Sequence, residues 1–84
     1  MKILYFAWVR QTTGIAEEEV SPPADVTNMG ELVTWLQGRS PAHAKALFDP
    51  NVVRCAINLE HVQSVDHPVN KDDEIAFFPP VTGG

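Results

Sequence analysis

Cysteine is nearly absent. Cys55 is the only one in 84 residues. No internal disulfide is available, and one thiol fits a reducing compartment. Basic clusters are absent too. Lys2, Arg10, Arg39, Lys45, Arg54 and Lys71 are scattered among eleven acidic residues, for a net charge of −5. That argues against nucleic acid as a partner and allows a partner with a basic docking surface. The three histidines stand singly, without ligand spacing, which argues against a metal site. No apolar run approaches the length that spans a membrane. The first strand is expected to begin at Lys2, which leaves no room for a signal peptide, so the expected location is cytoplasmic. A chain this short makes one domain with one modest core, burying about 60–65% of its unfolded surface. It has little room for an enclosed active site. The composition, 44% hydrophobic and 20% charged, is that of a folded domain.

Against these absences stands the run from Ile75 to Gly84. Ile75 to Phe78 reads as a buried strand ending. Pro79 and Pro80 fix φ and lack an N–H, so neither sheet nor helix continues through them. They predict an extended, stiff stalk. Gly83 and Gly84 have no Cβ and suit a slot too narrow for other residues. The residues after Phe78, fully extended, reach roughly 20 Å. Chain ends fray by default, but a frayed end has no use for a proline pair followed by a terminal glycine pair. The expected organisation is a globule over residues 1–78 and an extended tail over 79–84.

Lys2 to Val9 reads as a strand, with Ile3, Tyr5, Ala7 and Val9 on one face and Leu4, Phe6 and Trp8 on the other. Arg10 to Gly14 reads as a turn, with φ > 0 at Gly14. Ile15 to Val20 predicts a second strand, with Glu17, Glu18 and Glu19 as a solvated edge. Those carboxylates have no histidine neighbour for acid–base work. Asn28 and Glu31 form a capping pattern at the start of a helix whose stripe is Met29, Leu32, Val33 and Leu36, widened by Trp35 and stopped near Gly38. Ser40 and Pro41 start a short second helix, with His43 at its surface. Val52 to Leu59 predicts a strand that buries Val53, Cys55 and Ile57, which makes Cys55 a packing residue and not a nucleophile. Glu60-His61 reads as a turn, Val62 to Val65 as a strand, and Lys71 to Glu74 as a polar turn into the last strand. The order β-β-α-(α)-β-β-β predicts an α+β roll, a mixed sheet with one main helix across one face. If the first and last strands are neighbours, Ile3, Tyr5, Val9, Ile75 and Phe77 meet the helix. Phe6, Trp8 and Phe78 then share the uncovered face as an aromatic partner patch beside the tail.

This order with a terminal Gly-Gly resembles the β-grasp fold of ubiquitin-like proteins. Asp66-His67-Pro68 through Phe78-Pro79-Pro80-Val81-Thr82-Gly83-Gly84 resembles, more narrowly, the small subunit of molybdopterin synthase, the MoaD-type sulfur carriers. Lys2 to Arg10 and the start of the Asn28 helix match as well, so the likeness spans essentially the whole chain. Asp72 departs from the pattern, since the family often has glycine there. The resemblance implies that an E1-like adenylyltransferase uses ATP to adenylate Gly84, and that a sulfur donor converts the adduct to a thiocarboxylate. The tail then enters the large synthase subunit and gives its sulfur to cyclic pyranopterin monophosphate in molybdenum cofactor biosynthesis. It implies a heterotetramer, no cofactor bound by this chain, and catalytic side chains on the large subunit. Gly84 would carry the group with Gly83 beside it. Phe6, Trp8, Phe78, Pro79, Pro80, Val81 and Thr82 would bind the partner. The alternatives are a thiamine-type sulfur carrier, a ubiquitin-like modifier conjugated through Gly84, and a plain binding module.

Overall fold

The computed structural model describes residues 1–49 and 52–80. Among these residues five strands and three helices follow in the order β1 (Lys2–Tyr5), α1 (Ala7–Thr13), β2 (Glu17–Glu19), α2 (Met29–Gln37), α3 (Pro41–Ala46), β3 (Arg54–Ile57), β4 (Glu60–Val62) and β5 (Glu74–Phe78). The strands form one sheet in the order β2-β1-β5-β3-β4. β1 and β5 run parallel, and the other pairs are antiparallel. The first and last strands are therefore neighbours, as expected, and the last occupies the centre. This mixed sheet with helices packed on it is the α+β β-grasp arrangement.

The inner face of the sheet carries Ile3, Tyr5, Ile57, Ile75 and Phe77, all buried. Tyr5 lies opposite Phe77, with their rings stacked at 6.0 Å. Met29, Leu32 and Leu36 of α2 close the core over them. This is the stripe read from the spacing. The cap also forms: the Asn28 side chain accepts from the Glu31 N–H at 2.8 Å. The return bond differs from the expected box, because the Glu31 carboxylate accepts from the N–H and hydroxyl of Thr27. The Thr27 N–H bond and then the hydroxyl bond hold the Glu31 carboxyl below its usual range. At the second residue of α2, Gly30 gives its N–H to the carbonyl of Val65, and a Cβ there would stand 3.2 Å from Val65 Cβ. Close backbone approach explains this glycine.

The first strand ends at Tyr5, not Val9. Ala7 turns the chain with a left-handed φ of 53°, and α1 takes up what read as the end of a strand and a turn. Val9 and Thr13, four apart, are its buried positions. From Ile3 to Val9 every residue is apolar, so periods of 2 and 3.6 are indistinguishable there. The N-cap, Phe6, supplies no side-chain bond to announce a helix. Trp8 consequently leaves the outer face and packs against the core. Gly14 closes α1 with φ 75°, as expected.

The hairpin turn also moves. Asn58 and Leu59 both have positive φ, so Glu60 and His61 are strand residues and 63–65 are not. Asp72 is not left-handed. Its turn is held by Asp73, whose carboxylate accepts from the Asn70 N–H and the Asn58 amide. Among the described residues no helix is long and apolar enough to cross a membrane.

Candidate functional site

β5 delivers the chain to the C-terminal run from the middle of the sheet. Its last rungs are held on both sides. The Phe6 N–H donates to the Phe77 carbonyl at 3.0 Å, and Arg54 of β3 pairs with Phe78. Beyond Phe78 the ladder stops, because Pro79 and Pro80 have no N–H to add. Pro79 is half-buried and Pro80 exposed. Val81, Thr82, Gly83 and Gly84 lie outside the described residues.

Around this root the outer face of the sheet is mainly apolar. Leu4, Ala76, Ala56 and His61 stand in one row across β1, β5, β3 and β4. Phe78 follows in the next row, half-buried, and Phe6 stands beside it, 48% exposed. The rings of His61 and Phe78 meet edge to face at 5.2 Å. They reach across β3 because Ala56 between them offers only a methyl. Of the three expected patch residues, the structure keeps Phe6 and Phe78 at the tail root and sends Trp8 into α1. His61, which read as a turn residue, joins them. Locating the turn two residues earlier, at Asn58-Leu59, would have revealed it: Asn favours positive φ, though Leu59 beside it gives no such hint.

The expectation that Glu17, Glu18 and Glu19 form a solvated edge fails at Glu18. β2 is indeed an edge strand, but Glu18 pairs with Ile3 and shares its inward face. Its Oε2 lies 2.8 Å from His43 Nε2 and accepts from the Tyr5 hydroxyl at 2.8 Å. Arg39 approaches the other oxygen at 3.8 Å. His43, expected at the surface, is 5% exposed. Its Nδ1 lies 2.7 Å from Ser40 Oγ, the oxygen that caps α3 by accepting from the His43 N–H. Burial alone would raise the Glu18 carboxyl, but the hydrogen bonds from His43 and Tyr5, with the His43 and Arg39 charges, outweigh it and hold the carboxyl low. Burial, then the bond to Glu18, pushes the Tyr5 hydroxyl far up. Residues 25 positions apart cannot be matched by local spacing, so no local signal announces this pair.

A serine–histidine–carboxylate chain invites a catalytic reading. Its serine is a helix cap and its histidine is buried, and Tyr5 saturates the carboxylate from the core side. It ties α3 and β2 to β1, which is a structural role. Among the described residues no group of His, Cys, Asp and Glu could hold a metal ion. Cys55 is half-buried on the inner side of β3, packs against the core and points its Sγ at the Val62 carbonyl, 3.6 Å away. Burial pushes its thiol above the usual range. Cys55→Ala is expected to cost on the order of 1 kcal/mol in urea unfolding and to leave chemistry at the chain's end intact. Lost chemistry with unchanged stability would contradict the packing role.

The chain is similar to known proteins over its full length. The ThiS family profile matches residues 3–84. The molybdopterin synthase sulfur carrier subunit of Escherichia coli is 42% identical over 84 residues, covering 100% of this chain and 99% of that relative. Among solved structures, SAMP1 from Haloferax volcanii superposes with a TM-score of 0.78 at 25% identity, covering 100% of this chain and 98% of the other. The subunit 1–subunit 2 complex of molybdopterin-converting factor from Helicobacter pylori contains a chain of the same fold, with a TM-score of 0.66 at 20% identity and coverage of 99% and 96%. A profile matching nearly every residue and a relative this similar from end to end agree: the chain belongs to the ThiS family, beside the molybdopterin synthase sulfur carrier subunits.

Proposed function

We propose that this chain is the sulfur carrier subunit of a molybdopterin synthase and works through the Gly84 carboxylate. The observation that carries this reading is the placement of β5. The strand leading into Phe78-Pro79-Pro80 is the central one, braced by β1 and Phe6 on one side and β3 on the other. A tail that must be aimed is best rooted where the body is stiffest. The end-to-end similarity to the Escherichia coli carrier supports the same reading.

The chemistry needs little from this chain's side chains. A free carboxylate is a poor electrophile. An E1-like adenylyltransferase binds ATP, and the Gly84 carboxylate oxygen attacks its α-phosphorus, releasing pyrophosphate. A donor carrying sulfur at the sulfide level attacks the acyl carbon, and AMP leaves with the C–O bond pair. The resulting thiocarboxylate is a soft anionic nucleophile on a stalk. Docking of the globule on the large subunit makes its delivery effectively intramolecular. Gly83 and Gly84 admit the backbone to a narrow channel, while Pro79, Pro80, Val81 and Thr82 span the distance to it. Cyclic pyranopterin monophosphate receives the sulfur, and the acid–base groups belong to the large subunit. The Helicobacter pylori complex is the pattern for that pairing, and a heterotetramer is its expected form.

Reconstitution tests the proposal. Loaded carrier, mixed with the large subunit and the pterin precursor, is expected to yield molybdopterin, and carboxylate-ended carrier is expected to yield none. Equal yields from both would overturn it. Phe78→Asp is expected to weaken large-subunit binding by 100-fold or more, as for a central aromatic anchor of about 3 kcal/mol, with a much smaller loss of stability. Calorimetric titration beside a melting curve separates the two. A collapsed melt with unchanged affinity would make Phe78 a core residue.

A further inference from the structure

The chain's net charge of −5 misdescribes the face that surrounds the tail root. On the outer face the carboxylates gather away from it. Glu17 and Glu19 lie on the β2 edge, beside Leu4 and Lys2, and Glu74 pairs with Lys2 at the opposite end of β5 from Phe78. Lys2 answers them, its Nζ 3.1 Å from Glu17. The hydrogen bond and charge of Glu17 raise the Lys2 ammonium above its usual range. The other flank differs. The row containing Phe78 carries Arg54, and the row containing Ala76 ends on His61. Glu60, next to His61 in sequence, pairs with Ile57 and so points to the other side. Arg54 and His61 are thus diagonal neighbours on β3 and β4, both exposed. Among the described residues neither has a carboxylate within ion-pair distance, unlike Lys2, Arg39 and His43.

We infer that Arg54 gives the docking face a cationic flank, with the His61 ring beside it as a hydrogen-bonding group, and that the partner meets this flank with acidic side chains. The inference rests on the carrier reading above and adds the chemistry of the partner's surface. That surface has an apolar centre for Phe6 and Phe78 and carboxylates of Asp or Glu placed opposite β3 and β4. It replaces the expectation, drawn from total charge, of a basic docking surface. Several observations favour it over a purely apolar contact. Arg54 has a planar fork that pairs bidentately with a carboxylate, and it keeps that fork free of the chain's own acidic residues described here. It sits one strand from Phe78, where docking removes water and strengthens a charge pair. His61 is fixed by its edge-to-face contact with Phe78, so its ring nitrogens are presented beside the anchor and not left to wander. The same face is acidic on the β2 side, so a partner acidic opposite β3–β4 can dock in only one orientation without like charges meeting. That orientation fixes where the tail points.

Titration of the large subunit of molybdopterin synthase with wild type, Arg54→Glu and Lys71→Glu, at low and high salt, tests this. Lys71→Glu makes the same change in net charge near the opposite end of β5. Arg54→Glu is expected to weaken binding about tenfold or more at low salt and to flatten its salt dependence. Lys71→Glu is expected to change affinity less than about twofold. Arg54→Ala, which adds no charge, is expected to fall between. Melting curves establish that each variant is folded, as exposed positions predict. Equal affinity of wild type and Arg54→Glu, or equal losses from Arg54→Glu and Lys71→Glu, would overturn the cationic flank while leaving the carrier reading in place. Tighter binding by Arg54→Glu would assign the face to a basic partner. Failure of wild type to bind the large subunit at all would overturn the carrier reading, and this inference with it.

Discussion

Removing Gly84 is expected to abolish sulfur loading and leave the melting temperature unchanged. The buried core, among the described residues, ends at Phe77, and β5 ends at Phe78, so that core is complete before the final residue. The chemistry does. Deletion moves the carboxylate back along the chain by roughly 3.5 Å. Attack on a phosphorus held in another protein's site tolerates far less, since a misplacement of about 1 Å can cost 100-fold. The check is incubation of the truncated chain with ATP, the activating enzyme and a sulfur donor, read by mass. Loading at the wild-type rate would show that the reacting group lies elsewhere.

Breaking the Glu18–His43 pair is expected to have the largest effect on stability. His43→Ala empties a site 5% exposed, removes an edge contact with Tyr5 at 6.0 Å, and strips Glu18 of a hydrogen-bond partner at 2.8 Å. Removing one partner of a fully buried pair costs about 3–5 kcal/mol. Glu18 keeps the Tyr5 hydroxyl and is 14% exposed, so about 2–3 kcal/mol is expected here after allowing for solvent. In a domain this size that lowers the melting temperature by roughly 10–20 °C. The acid response follows from the same geometry. Folding depresses the Glu18 carboxyl, so its contribution is present above the unfolded value of about 4.3 and is lost as pH falls through the folded one. Urea unfolding at pH 7 and pH 4 checks both points. His43→Ala should be weak at both values, and Glu18→Gln should lose less than wild type on acidification. An unaltered His43→Ala midpoint would contradict the buried-latch reading.

Much of the framework is legible because its signals are local. Asn28 three residues before Glu31, Ser40 before Pro41, and Met29, Leu32 and Leu36 at helical spacing each state their element within one or two turns. The last strand and the prolines after it read the same way, and so did the pairing of first and last strands. What stayed hidden depends on distance or on a broken rule. α1 lacks a capping side chain and lies in an apolar run that fits either period. Leu59 occupies a left-handed position that glycine usually fills, which disguised the hairpin and with it the place of His61. Glu18 and His43 meet only because α3 folds back over the edge of the sheet. Total charge carries no positional information, since it sums an acidic β2 edge with Arg54 in the row of Phe78.

The central claim is that a bare backbone end, braced from the centre of a sheet, is the working part of this protein. Intact mass of the purified chain after charging by its activating enzyme tests it most directly. Replacement of one oxygen by sulfur, a gain of about 16 Da confined to the C-terminal peptide, is the predicted result. No gain, a gain located on Cys55, or conjugation of a whole second protein through Gly84 would contradict it.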